Sequence, residues 1–132
     1  MQWKSESVFE GRRSDIVEQI RDGQMRKILS ELAELMRQVY GDKLKSVILY
    51  GSVARGTDTE DSDIDIMVLI DGDASELRQY DERLCDASTE ISLKYLKVFS
   101  IVDVSYQEYM EWRQILPFYR NVSEEGVVLY AA

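Results

Sequence analysis

Leu49 to Leu69 reads LYGSVARGTDTEDSDIDIMVL, two apolar runs separated by a polar loop. Ser46 to Tyr50 (SVILY) predicts a short buried strand that ends abruptly at Gly51-Ser52. Residues 51–62 are polar and rich in turn formers. Ile64 to Ile70 (IDIMVLI) predicts a second strand, closed by Asp71-Gly72-Asp73. The loop is too short for a crossover helix, so the two strands are expected to run antiparallel. That argues against a purely parallel sheet. It points to an α/β (α+β) fold in which a small mixed sheet is flanked by helices.

The same stretch holds the candidate chemistry. Ten residues after Gly51-Ser52 come Asp63 and Asp65, on either side of Ile64. Side chains alternate along a strand, so the two carboxylates project together while Ile64 and Ile66 turn to the core. Two carboxylates on one face repel each other unless a cation sits between them. Magnesium suits such a pair, because it takes one or two protein carboxylates and completes its shell with phosphate oxygens and water. Gly51 allows a polyphosphate to approach the backbone, and Ser52 adds a hydroxyl and an N–H. A helical turn starting at Val53 would add free N–H groups. Arg55 is placed either to contact phosphate or to pair with an acid and fix the loop, with the second preferred. Asp58, Glu60 and Asp61 are read as solvated loop acids. Two-metal chemistry calls for a third acid. Asp103, in the apolar run VFSIVDV, is the candidate. A carboxylate there is costly unless it binds metal or is paired, so a structural ion pair is the alternative.

Working outward, Ser14 to Tyr40 has helical periodicity. Asp15 and Glu18 form a capping-box-like start, Asp22-Gly23 is a possible break, and Gly41 is a stop. Ser75 to about Leu96 predicts a second helix, with Cys85 on it as a buried or half-buried hydrophobe. Val98 to Val104 predicts a third strand. Tyr106 to about Asn121 is helical with an interruption near Pro117, and VVLY after Gly126 is a last extended run. No repeat or linker divides the 132 residues, which are expected to form one domain with residues 1–13 as a loose arm or a short docking segment.

Composition narrows the function. There is no histidine, which removes Ser-His-Asp triads and the usual zinc sites. The single cysteine cannot form an internal disulfide and fits a reducing cytoplasm. No apolar run spans a bilayer and no signal peptide is legible, so a cytoplasmic protein without membrane contact is expected. A net charge of −9 is poorly suited to direct nucleic-acid binding. It fits hard cations, a basic partner surface, or plain solubility.

At Gly51-Ser52, ten residues and Asp63-Ile64-Asp65, the chain resembles the DNA-polymerase-β-like nucleotidyltransferase superfamily. The string GSVARGTDTEDSDIDIMV looks most like its minimal, MNT-type branch. The resemblance implies transfer of a nucleoside monophosphate, AMP from ATP, with release of pyrophosphate. Gly51 and Ser52 would hold the triphosphate, and Arg55 in the same turn keeps its two readings as a phosphate contact or a residue that fixes the loop. Asp63 and Asp65 would ligate two Mg²⁺ ions, and Asp103 would be the third carboxylate, bridging metal or helping to deprotonate the acceptor. Many MNT-type proteins work beside a HEPN partner as antitoxins that adenylylate a tyrosine of that toxin, which implies a homo- or hetero-oligomer. The chain's shortness fits that arrangement. Two alternatives stay open: transfer to a small hydroxylated molecule such as an aminoglycoside, and a non-catalytic toxin-binding module.

Overall fold

Strand β1 (Leu44–Tyr50) lies at the centre of the molecule, paired on both sides. The computed structural model describes residues 23–132; the candidate helix start at Asp15 and Glu18 and the arm at 1–13 lie outside them. β2 (Ile64–Ile70) runs antiparallel to β1, from Tyr50 opposite Asp65 to Leu44 opposite Ile70. β3 (Phe99–Ser105) runs parallel to β2, and β4 (Val127–Ala131) runs antiparallel to β1 on its other edge. The order β3-β2-β1-β4 makes a four-stranded mixed sheet, as the short loop after β1 required.

Both faces of the sheet are covered, which is why IDIMVLI reads as a nearly unbroken apolar run. Over the first face lie α1 (Gly23–Tyr40) and, after Gly51–Arg55 (α2) and Ala74–Arg78 (α3), the longer α4 (Asp81–Tyr95). Ile28, Leu32 and Met36 of α1 and Ile91 of α4 are fully buried there with Val47, Leu49, Ile64, Ile66 and Val68. Each such side chain contributes about 1.5–3 kcal/mol on burial. The second face carries Ile48, Met67 and Leu69. It is covered by Tyr109 of α5 (Tyr106–Trp112) and by Tyr119 and Val122 of α6 (Pro117–Glu125).

Three expectations change in detail. The single helix read over 75–96 is two. Asp73 and Glu76 close a capping box on α3, the N–H of Gln79 and of Tyr80 then donate to the carbonyls of Glu76 and Leu77 in a tighter turn, and the ring of Tyr80 packs 4.8 Å from that of Tyr40. Cys85 is exposed, because the buried stripe of α4 runs through Ala87 and Ile91 instead. The last helix, read to Asn121, continues to Glu125, with Pro117 in its first turn after extended Leu116, the place where a missing N–H costs nothing. Among the described residues no helix is long and apolar enough to cross a membrane.

Candidate active site

The turn after β1 is shaped by two glycines. Tyr50 is extended, and Gly51 then takes φ +80° to start α2. After Arg55 the chain leaves the helix through Gly56 at φ +76°; the N–H of Gly56 donates to the carbonyl of Val53 and that of Thr57 to Ser52. This Schellman-type closure ends the helix after little more than one turn and directs the chain toward β2. The following loop is tied internally: the N–H of Thr59 donates to Ser62 Oγ at 2.9 Å, and the N–H of Ser62 to the carbonyl of Thr59. Asp58, Glu60 and Asp61 are exposed on it, as read from sequence.

Asp63 immediately precedes β2, and Asp65 is its second residue, half-buried, with Ile64 and Ile66 in the core between and beyond them. Gly51 packs directly on Asp65: a Cβ at Gly51 would stand 3.1 Å from Asp65 Cγ and closer still to Oδ2. The phosphate-type turn and the carboxylate pair therefore converge on one spot. Burial, and then the charge of Asp63, raise the Asp65 carboxyl above its ordinary value, while Arg55 opposes them. Such a pair is eased by a cation. Gly51→Ala should fail on two counts, a left-handed backbone and a blocked approach to Asp65. We expect a loss of about 1–3 kcal/mol of stability, read by thermal melting, together with loss of nucleotide binding.

Arg55 pairs with Glu125 at the end of α6, Nη1 to Oε1 at 2.9 Å, with both side chains partly exposed. The preferred reading of Arg55, as a residue that fixes the loop, matches this contact. The second-face cluster reaches the site through Tyr50, which is opposite Asp65 in the ladder and has its ring 5.6 Å from that of Phe118. Burial and then Asp65 raise the Tyr50 phenol.

Asp103 is not beside the pair, and its expected place there is corrected. In the β2–β3 ladder Asp103 is opposite Val68, while Asp65 is opposite Ser100. Val68 and Ile101 belong to the first-face core and Val104 packs with the second-face cluster, so Asp103 and Asp65 lie on opposite faces of the sheet. There Asp103 Oδ2 accepts a hydrogen bond from the Tyr40 hydroxyl at 3.0 Å. Its carboxyl is raised by burial, with Tyr40 opposing. The partner is a phenol rather than the cation of an ion pair. Sequence reasoning also missed Ser100, Tyr50 and Glu125, whose places follow from register and packing. Among the described residues no three His, Cys, Asp or Glu side chains form a metal-holding group, so two carboxylates are what the pair offers. A groove of about 510 Å³ lies on the second face beside Ser46, Ile48, Leu69, Tyr109 and Val122, and none of the acids of the pair lines it.

Known proteins resemble this chain in sequence and in fold. The family described as nucleotidyltransferase domain matches residues 24–129. The chain is 36% identical to the "Putative protein adenylyltransferase MJ0604" of Methanocaldococcus jannaschii, over 79% of this chain and 96% of that protein. It is 39% identical to "Putative protein adenylyltransferase MJ1379" of the same organism, over 52% of this chain and 80% of that protein. The fold is shared with a chain of a toxin–antitoxin crystallised with AMP-PNP, at 18% identity and TM-score 0.52 over 78% of this chain and 73% of that one. It is shared equally with a chain of a mutant of the toxin–antitoxin MntA-HpeT, at 18% identity and TM-score 0.54 over 79% and 73%. A glycine-serine turn packed on a carboxylate pair, in a mixed sheet of this order, is thus met by a family match over nearly all the described residues: the chain belongs to the nucleotidyltransferase domain family and is a nucleotidyltransferase.

Proposed function

We propose that the chain transfers AMP from ATP, with magnesium, to a tyrosine hydroxyl of a partner HEPN toxin, and so acts as an antitoxin. The observation that carries this reading is the packing of Gly51 on Asp65, which joins the turn and the carboxylates in one centre. Asp63 and Asp65 would hold the divalent ion, which when bound neutralises triphosphate charge at the reacting phosphorus. Gly51 leaves room for the triphosphate against the backbone, Ser52 offers its hydroxyl and N–H, and Arg55, held by Glu125, keeps the turn in place. The acceptor oxygen bonds to the α-phosphorus, the bond from that phosphorus to the bridging oxygen breaks, and pyrophosphate leaves.

The relatives' names support a protein as acceptor, and the related folds come from toxin–antitoxin pairs, one of them with AMP-PNP. The surface beside the site supports the same reading. Trp112, Ile115, Leu116 and Phe118 are exposed around the α5–α6 connection, Ile115 at 64%, and Phe118 reaches Tyr50 at the edge of the centre. Apolar side chains gathered in this way suit coverage by a partner, and the net charge of −9 favours a basic one.

The test is incubation with ATP, Mg²⁺ and a HEPN partner, followed by intact-mass and peptide mapping. The expected result is AMP on a partner tyrosine; an unmodified partner despite bound nucleotide would overturn the proposal. ATP with Mg²⁺ should also stabilise the chain, by about 2.7 kcal/mol at a hundredfold excess over Kd. ATP alone should give a smaller shift in thermal melts, because triphosphate and carboxylates then repel.

A further inference from the structure

We infer that Ser100 is a specificity-determining position: among the described residues it leaves the centre without a third carboxylate and so disfavours water and aliphatic hydroxyls as acceptors. The inference rests on the proposed transfer from ATP. It starts from the ladder, in which Ser100 of β3 is opposite Asp65 of β2. In a parallel pair, residues in register share a face, so Ser100 is the β3 residue that stands next to Asp65 on the side of the centre. Asp103 is on the other face with its Oδ2 on Tyr40, and Glu125 is held by Arg55.

The chemistry of transfer makes this placement matter. Transfer forms a bond from the acceptor oxygen to the α-phosphorus and breaks the bond to the bridging oxygen, whose electron pair leaves with pyrophosphate. The acceptor's proton must go to a base. Asp63 and Asp65 would be engaged with metal, and a serine hydroxyl is no base near neutral pH. The centre can therefore use an acceptor that gives up its proton to solvent water or buffer without a positioned base, such as a phenol with a pKa near 10, whereas water, at about 15.7, needs help. A positioned base typically contributes roughly 10²–10⁴-fold. A nucleotidyltransferase built in this way holds ATP without wasting it on water while no partner is bound.

The experiment compares the full chain with Ser100→Asp, each with ATP and Mg²⁺ and no partner. Release of AMP and pyrophosphate is expected to rise roughly 10²–10⁴-fold in the variant. A readout independent of turnover accompanies it. The added acid should lower the metal-free melting temperature and enlarge the upward shift produced by Mn²⁺ alone. In case the variant does not fold, wild type is offered N-acetyl-tyrosinamide and glycerol as acceptors. Modification of the phenol and not of glycerol is expected. Wild type that hydrolyses ATP as fast as Ser100→Asp, or that modifies glycerol as readily as the phenol, overturns the inference while leaving nucleotidyl transfer standing. Wild type that neither binds ATP–Mg²⁺ nor modifies any acceptor removes the proposed function and the inference together.

Discussion

Asp65→Asn is expected to lower nucleotidyl transfer at least about a hundredfold, more than is typical for losing a metal ligand's outer support, in a protein that remains folded. The stability expectation follows from protonation. The Asp65 carboxyl is raised by burial and then by Asp63, so the folded protein holds that proton more tightly than the unfolded chain does. Stability from this source is present below the unfolded pKa and is lost as pH rises through the folded value. Ionising Asp65 in the metal-free protein therefore carries a cost that the amide removes. Without metal, Asp65→Asn should melt at the same temperature as wild type or higher, with a margin that grows as pH is raised from about 4. Melting curves across pH, beside an activity assay, check both parts. A variant that unfolds would make Asp65 a structural residue, and one that keeps its activity would remove it from the catalytic centre.

Asp103→Ala is expected to do the reverse: lower stability and spare transfer per folded molecule. Tyr40 is only 3% exposed, and its hydroxyl donates to Asp103 Oδ2. Truncation strands that hydroxyl, at a cost of about 1–3 kcal/mol, or roughly 4–12 °C in Tm for a domain of this size. Asp103→Asn keeps an acceptor for Tyr40 and drops a charge that burial penalises, so its stability should match or exceed that of wild type. Thermal melts of both variants, with activity normalised to folded protein, separate the cases. Loss of transfer in a stable Asp103→Asn would return this carboxylate to the catalytic centre.

The contrast between these two aspartates shows what the residues alone convey. Asp65 was legible because its neighbours in sequence define it: an apolar strand, a partner two residues away, and a Gly-Ser turn ten residues earlier. Alternation with Ile64 and Ile66 sets its face without knowledge of any other strand. The antiparallel pairing of β1 and β2 followed equally locally, from loop length. Asp103 depends on how β3 meets β2. A shift of one residue moves every side chain of a strand to the other face, and VFSIVDVS is apolar enough on both sides that its pattern does not choose. The pairing of Ser100 with Asp65 and the seat of Asp103 on Tyr40 of α1 join residues far apart in sequence. The same holds for Cys85, whose helix has few buried positions, and for the break at Tyr80, whose ring packs on the distant Tyr40.

The proposed nucleotide centre is the turn at Gly51-Ser52 together with the pair Asp63–Asp65. Anomalous scattering from Mn²⁺ in crystals grown with a non-hydrolysable ATP analogue tests it most directly. A manganese peak is expected at bonding distance, about 2.0–2.3 Å, from oxygens of both Asp63 and Asp65, with the triphosphate along Gly51 and Ser52. Nucleotide seated instead in the groove beside Ile48, Leu69 and Tyr109, with no manganese at the carboxylates, would contradict it.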